Sequence, residues 1–193
     1  MIDYIKGNID KITPACIVLE TQGIGYFINI SLTTFSALEN KADVKIFVHE
    51  VIREDAHQLF GFATDEEREI FRHLISVTGV GANTARMMLS SLSPEEIEIA
   101  IVGSNVDILK SIKGIGLKTA QRIIIDLKEK LGKYTENAEI FAPNDNTNCE
   151  EALSALVMLG FAKSTVSKIL DKIVREEKNL TVEDMIKRAL KNL

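Results

Sequence analysis

The chain has 193 residues, 46% of them apolar and 26% charged, with a formal net charge of −5. This composition is typical of a soluble globular protein that has room for several small domains. The apolar runs are far shorter than a membrane span and the N-terminus lacks a signal peptide's apolar core, so we expect a cytoplasmic protein. Cys16 and Cys149 stand alone, which argues against a disulfide framework or a zinc site, and no cofactor is predicted.

Residues 1–64 are predicted to form a small β-barrel of OB type. Their segments are rich in β-branched and aromatic residues, and Gly23-Ile24-Gly25 marks a hairpin turn between the second segment and the third. A glycine bulge is expected in the first strand, and SLTTFSALENKAD is expected to be a short helix or loop. No aromatic stripe with interleaved cations is visible, so the barrel is interpreted as a scaffold. The strand segments read MIDYIKGNIDKI, ACIVLETQ, GYFINIS, VKIFVHEVI and HQLFGFA.

The last two of these strands are joined by a short turn that carries two adjacent carboxylates, Glu54 and Asp55, after Arg53. On spacing alone, this turn is interpreted as a solvated hairpin tip. A metal site or an acid/base pair is disfavoured there, because neighbouring residues of an extended chain point to opposite faces.

From Thr64 onward the apolar residues follow the helical period, and residues 65–133 are predicted to be all-helical. Thr64 and Ser93 are each followed three positions later by a glutamate, which predicts two capping boxes. One stretch occurs twice: residues 74–89 read LISVTGVGANTARMML and residues 109–124 read LKSIKGIGLKTAQRII. An internal repeat of this kind, with Gly-x-Gly between two apolar helical segments, predicts two helix, tight turn, helix units.

The repeated turn has a chemistry that suits phosphate. Glycine accepts positive φ and leaves room for a ligand beside the backbone N–H groups. The apolar residue between the glycines can plug the turn into the core, while the second glycine opens a helix whose positive end attracts an anion. A single Gly-x-Gly is often only structural, whereas two copies in register favour binding both strands of a duplex without reading bases.

The pattern resembles the helix-hairpin-helix motif of DNA-binding proteins, which implies a set of contact residues. The net charge of −5 argues against a nucleic-acid binder, but residues 65–133 carry ten acidic and ten basic side chains. A basic surface is expected around the second turn from Lys110, Lys113, Lys118, Arg122, Lys128 and Lys130. The expected DNA contacts are Gly79, Val80, Gly81, Asn83, Thr84, Gly114, Ile115, Gly116, Lys118, Thr119 and Arg122.

The remainder of the chain is predicted to be a linker followed by a separate domain. Residues 134–148 lose helical periodicity and collect Asn, Asp, Thr and Pro, which indicates a mobile linker. Residues 149–193 contain three short amphipathic segments, of which the first ends at Gly160 and the last begins after Thr181. This domain is interpreted as a docking module, with a plain C-terminal bundle as the alternative.

The whole chain resembles the RuvA family, the Holliday-junction-binding subunits of bacterial branch migration. The resemblance rests on the barrel, the Arg-Glu-Asp tip, the paired Gly-Val-Gly and Gly-Ile-Gly hairpins, the linker and the EALSALVMLGF segment. It implies an α+β multidomain protein with an OB-type barrel, a tandem helix-hairpin-helix domain and a three-helix UBA-like bundle. It also implies that this protein is not an enzyme but acts in recombination, repair and the SOS response to DNA damage.

The partners and roles that this resemblance implies are specific. A homotetramer, or an octamer of two such rings, would hold a four-way junction flat, with Glu54 and Asp55 at the crossover as an acidic pin. The C-terminal domain would recruit the RuvB ATPase through Leu156, Leu159 and Phe161, and RuvC resolvase is a further partner. Whether the hairpins hold a monovalent cation on their carbonyls is open.

The hairpins depart from the usual family pattern. Ala82 and Asn83 stand where a Pro-Lys pair is common, and Leu117 stands where a lysine is common. Two expected cations are therefore absent, and Lys113 offsets one of them. Backbone contacts to DNA should survive these changes.

Two other classes of function are open alternatives. A helix-hairpin-helix glycosylase needs a base-flipping pocket with a catalytic Asp or Lys, and a nuclease needs clustered carboxylates. Asp126 follows the second hairpin, but no cluster accompanies it in the sequence. A protein-interaction scaffold is the third possibility, and it would fail to bind DNA at low salt.

Overall fold

The computed structural model describes residues 1–138, 146–176 and 180–192, which form two compact units, Met1–Asn137 and Ala138–Leu193. The first unit begins with five strands that close into a barrel in the order β1-β2-β3-β5-β4. Neighbouring strands are antiparallel except β3 and β5, which run parallel. The predicted OB-type barrel is thus confirmed. The strands are β1 (Tyr4–Thr13), β2 (Cys16–Thr21), β3 (Ile24–Ile30), β4 (Asp43–Ile52) and β5 (His57–Phe62), with helix α1 (Leu32–Leu38) between β3 and β4.

The irregularity in β1 is not where the sequence predicted it. Gly7 pairs in regular register with Val44, and the register shift lies between Ile9 and Lys11. Gly7 has a different role, since a Cβ there would lie only 2.2 Å from the carbonyl oxygen of Glu20. The prediction of a glycine bulge was therefore wrong, because this glycine permits close backbone approach inside the barrel wall.

Five helices complete the first unit, and they share a hydrophobic core with strands β4 and β5 of the barrel. Phe71 of α2 packs against Phe60 and Phe62 of β5, with ring centroids 5.3 and 4.9 Å apart. These aromatic side chains are at most 1% exposed, and Leu74, Met88 and Ile123 of the helices continue the same core. The helices are α2 (Asp65–Ile75), α3 (Ala82–Ser91), α4 (Pro94–Val102), α5 (Val106–Ser111) and α6 (Leu117–Ala138).

The two predicted capping boxes differ in the structure. At α4 the box is complete, since the Ser93 hydroxyl accepts from the N–H of Glu96 and the Glu96 carboxylate accepts from the N–H of Ser93. At α2 the Thr64 hydroxyl accepts from the N–H of Glu67, but the Glu67 carboxylate binds other donors. The second half of that box was wrongly predicted, because Glu67 turns inward to groups on the barrel side.

Helices extend into the segment that was predicted to be a linker from both sides. Helix α6 continues to Ala138 and helix α7 begins at Asn146, while residues 139–145 lie outside the described part of the chain. The predicted linker, residues 134–148, is therefore too long at both ends. Helix propagation explains the difference, because adding a residue to an existing helix costs less than nucleating one and needs no apolar stripe.

Within residues 146–176 and 180–192, the described part of the second unit, three helices surround a small core of their own, as the sequence predicted. Gly160 has a φ of +98° and ends the first of them. None of the helices in the described ranges is long and apolar enough to cross a lipid bilayer. The helices are α7 (Asn146–Met158), α8 (Lys163–Glu176) and α9 (Val182–Asn192), and their core contains Ala152, Leu156, Val166, Leu170, Ile173, Leu180, Met185 and Ala189.

Candidate nucleic-acid interface

The two repeated turns have the same backbone geometry. Gly79 has a φ of +97° and Gly114 a φ of +93°, so both lie in the left-handed region that favours glycine. In each turn the next residue donates to a carbonyl three positions earlier, Val80 to Val77 and Ile115 to Ile112, both at 3.0 Å. The internal sequence repeat is thus a repeat of structure.

The apolar residue of each turn is buried and the glycines are open to solvent. Val80 is 5% exposed and Ile115 is 4% exposed, as expected for plugs that fix the turn in the core. A Cβ built on Gly79, Gly81 or either glycine of the second turn would meet no atom within 4 Å. The backbone of both turns is therefore accessible to a ligand.

Helices α3 and α6 begin at these turns. The carbonyl of Gly81 accepts from the N–H of Ala85, and that of Gly116 accepts from the N–H of Ala120, both at 2.9 Å. Gly81 offers no side chain to cap α3, so the first N–H groups of this helix are not bound by their own N-cap. Orphan donors at the positive end of a helix dipole are suited to bind phosphate oxygens.

Cations are distributed unevenly around the predicted contacts. Lys118 and Arg122 are exposed on α6, and Thr119 is half-buried between them. Asn83 is exposed and Thr84 half-buried at the start of α3. Two members of the expected basic surface bind other side chains: Lys110 pairs with Asp107 at 3.0 Å, and Lys128 donates to Ser104 Oγ at 2.8 Å.

The acidic tip lies beside the first turn. Arg53 and Ala56 close the tip through mutual backbone hydrogen bonds of 2.8 and 3.4 Å, which leave Glu54 and Asp55 exposed. A cavity of about 300 Å³ separates the tip from the start of α3. The sequence did not predict this proximity. The cavity is lined by Arg53, Asp55, Ala56 and Gln58 of the tip and by Gly81, Ala82, Asn83 and Thr84 of the hairpin.

Three segments of the chain match known domain families. Residues 1–61 match the RuvA N terminal domain, residues 71–129 the SAM-like helix-hairpin-helix tandem, and residues 147–193 the RuvA C-terminal domain. The chain is 51% identical to a protein of Christiangramia forsetii and 49% identical to one of Flavobacterium psychrophilum, with all of each chain covered. A protein of Porphyromonas gingivalis is 48% identical, also over all of both chains. The chain belongs to the RuvA family.

All three of these RuvA relatives carry the name Holliday junction branch migration complex subunit RuvA. In this RuvA-family chain the helix-hairpin-helix match spans both glycine turns, and the N-terminal match spans the acidic tip. The two glycine turns and the acidic tip therefore all lie in segments that match these domain families.

One residue that positions the first hairpin was not predicted from the sequence. Arg86 of α3 donates through Nη1 to the carbonyl of Ala15 at 2.9 Å and to Asn29 Oδ1 at 3.3 Å, both on the barrel. Two further hydrogen bonds tie α1 to the end of α3, from Thr33 Oγ1 to the Leu89 carbonyl and from the Leu32 N–H to Ser90 Oγ. The sequence did contain one signal for Arg86: the corresponding position in the second copy of the repeat, residue 121, is glutamine.

The C-terminal unit exposes only part of the predicted docking surface. Leu156 is 0% exposed and belongs to the core, so its assignment as a docking residue was wrong. Leu159 is 64% exposed, and its neighbour Met158 is 87% exposed. Phe161 is half-buried against the same core. Apolar surface is therefore available at the end of α7, but from residues 158 and 159.

The clustered carboxylates that a nuclease would need do not come together in the described ranges. Among the residues whose positions are described, no cluster of His, Cys, Asp and Glu side chains could hold a metal ion. Asp126, the carboxylate that follows the second hairpin, is exposed on α6.

Proposed function

We propose that this RuvA-family chain binds four-way DNA junctions without sequence preference, as the DNA-binding subunit of a branch migration complex. The observation that carries the proposal is the shared cavity between the acidic tip and the first glycine turn. In this arrangement the start of α3, which attracts phosphate, and the Asp55 carboxylate, which repels it, line the same cavity. The names of the relatives, which are Holliday junction subunits, support this function.

The two hairpins would hold the duplex arms through phosphates. Each has an exposed glycine turn at the start of a helix, and the second also has exposed Lys118 and Arg122. Contacts of this kind fix the position of DNA but carry no sequence information. They allow the arms to move through the complex while the bases change, which branch migration requires.

The carboxylates of Glu54 and Asp55 would act at the crossover by repulsion. A carboxylate about 4 Å from a phosphate is repelled by roughly 1 kcal/mol in water and by about 4 kcal/mol at an effective dielectric of 20. Several such tips around one junction would keep its centre open and its strands apart. No covalent step is needed from this chain, so ATP hydrolysis belongs to a partner.

The proposal includes an assembly and a location. A homotetramer would present eight hairpins to four arms, and a second tetramer on the other DNA face would give an octamer. The C-terminal unit would recruit the RuvB ATPase through the apolar end of α7, and an uncovered junction face would admit the RuvC resolvase. All of these events take place with DNA in the cytoplasm.

A native gel that compares four-way, Y-shaped and linear DNA of the same arm length tests the function. We expect the four-way junction to bind most tightly and its affinity to fall with salt, with a log-log slope near −0.9 for each phosphate contact. Sedimentation of the complex gives the number of subunits. Equal affinity for linear and four-way DNA, or an affinity that does not change with salt, would contradict the proposal.

A further inference from the structure

The first hairpin has no cation of its own to offer DNA. Residues 77–92 contain a single basic side chain, Arg86, and its guanidinium is bound to the barrel at Ala15 and Asn29. The second hairpin differs, because Lys113, Lys118 and Arg122 are all exposed around it. If both hairpins hold phosphates, any cationic side chain that assists the backbone N–H groups of the first must come from elsewhere in the fold.

Arg53 is the basic side chain that shares a cavity with the first hairpin. It lines the same 300 Å³ space as Asn83 and Thr84, and it is exposed. Its hydrogen bonds in the described structure are backbone bonds to Ala56, and its guanidinium forms no ion pair with Glu54 or Asp55 within 4.0 Å. The charge of Arg53 is thus available to a ligand in the cavity.

We propose that Arg53 contacts the DNA phosphate held at the first hairpin and supplies the cation that this hairpin lacks. The inference rests on the proposed function and extends it to a residue of the barrel. A guanidinium donates to a phosphate through two parallel N–H groups, and such charge-assisted bonds are about twice as strong as neutral ones. The free N–H groups at the start of α3 bind the same anion from the opposite wall of the cavity.

The proposal also explains how an acidic tip can lie beside a phosphate-binding turn. Asp55 lines the cavity with Arg53 and would repel a phosphate that entered it. Arg53 offsets that carboxylate inside the cavity. The tip would then have two functions, in which Arg53 holds one strand at the hairpin while the carboxylates keep the other strands from the crossover.

Arg53→Gln tests the assignment, with Arg53→Lys and Lys6→Gln as comparisons. The tip is closed by backbone hydrogen bonds, so the fold should not depend on this side chain. We expect Arg53→Gln to weaken binding to both linear and four-way DNA by roughly tenfold for each guanidinium–phosphate pair that it removes. Its salt slope should become shallower by about 0.9 for each engaged subunit. Arg53→Lys should keep most of the slope.

Lys6→Gln removes the same charge from the barrel at a pocket that no hairpin residue lines, so it should bind DNA like the wild type. Arg53 could strengthen binding by contacting phosphate or only by offsetting the negative charge of the tip. Repeating Arg53→Gln in a Glu54→Gln/Asp55→Asn background distinguishes these two effects, because that background has no tip charge to offset. Weaker binding that persists there supports phosphate contact. An unchanged slope, an equal effect of Arg53→Lys, or normal binding in the neutral background would each refute it. Failure of the wild type to prefer junctions would instead refute the proposed function.

Discussion

Glu67 is a buried carboxylate that joins the barrel to the helices. It is 2% exposed and accepts hydrogen bonds from Ser31 Oγ at 2.5 Å, Thr34 Oγ1 at 2.7 Å and the N–H of Ala63 at 3.2 Å. Burial raises the pKa of this carboxyl above its ordinary value, and the hydrogen bonds to Ser31 and Thr34 oppose that rise. Its position was not predictable from sequence, where it was interpreted as half of a capping box.

The raised pKa of Glu67 predicts a pH dependence of stability. Between the ordinary pKa of a glutamate in the unfolded chain and the higher pKa of Glu67 in the folded protein, the folded protein keeps a proton that the unfolded chain has released. The contribution of this group to stability is thus complete below that window and is lost as pH rises through it. Glu67→Gln should remove this component, measured by urea unfolding from pH 4 to 8. The same change at the exposed Glu66 controls for removal of a carboxyl group, and identical pH profiles for both variants would contradict the assignment.

The carboxylates of Glu54 and Asp55 should limit DNA binding. Both are exposed, so Glu54→Gln with Asp55→Asn removes charge without disturbing a buried network. We expect the double variant to bind linear duplex and junction at least as tightly as the wild type, but to discriminate less between them, because repulsion at the crossover is removed. Competition between the two DNAs measures the ratio. Weaker binding to both would mean that the carboxylates have a structural role.

At the scale of elements, the repeated turns could be predicted because each needs residue types that local chemistry specifies. Positive φ requires Gly79 and Gly114, and the plug positions require apolar side chains, all of which are visible in the sequence. The residues that lie beside the first turn could not be predicted in this way. The contact of Arg86 with Ala15 and the proximity of the tip to Asn83 join residues far apart in the chain, and they depend on how α3 packs on the barrel.

Replacing the first glycine of each turn should abolish junction binding while leaving the barrel folded. Gly79→Val and Gly114→Val place a β-branched residue at a φ of +97° or +93°, which costs on the order of 1–2 kcal/mol per residue. Relief of that strain moves the N–H groups that would bind phosphate. We expect at least tenfold weaker binding for each variant, measured by gel shift, with the far-ultraviolet circular dichroism of the wild type.

Gly23→Val is the matched control for these variants. Gly23 has a φ of +81° in the turn between β2 and β3, and a Cβ there also meets nothing within 4 Å. Its substitution should therefore cost similar stability without affecting DNA binding. If Gly23→Val weakens binding as much as the hairpin variants do, reduced stability rather than hairpin geometry explains the effect.

For the whole molecule, the sequence predicted a separate C-terminal unit but not which of its apolar residues are exposed. The family resemblance assigned both Leu156 and Leu159 to one docking surface, yet Leu156 is buried and Leu159 is 64% exposed. Helix α7 ends at Met158, and the positive φ of Gly160 then reverses the chain, so helical periodicity does not apply beyond that point. Phe161 donates its N–H to the Leu156 carbonyl at 3.2 Å and folds back onto the core, as in a glycine-terminated helix end.

Removing the C-terminal unit should separate DNA binding from motor recruitment. The first unit has its own core and contains both hairpins and the tip, so a chain that ends at Asn144 should bind junctions as tightly as the full chain. It should fail to support ATP-driven branch migration by RuvB, measured as strand separation of a labelled junction. If the truncated chain still stimulates the motor, the contact must come from the first unit.

Within the C-terminal unit, Leu159→Asp should abolish motor stimulation with normal junction binding, because it places a charge in exposed apolar surface. Met158→Asp should act in the same way, since Met158 is 87% exposed beside it. Leu156→Asp should instead unfold the unit, because an unpaired carboxylate cannot replace a fully buried leucine. Thermal unfolding distinguishes the two classes of variant. A Leu159→Asp protein that melts like the wild type and still stimulates RuvB would exclude this end of α7 as the docking surface.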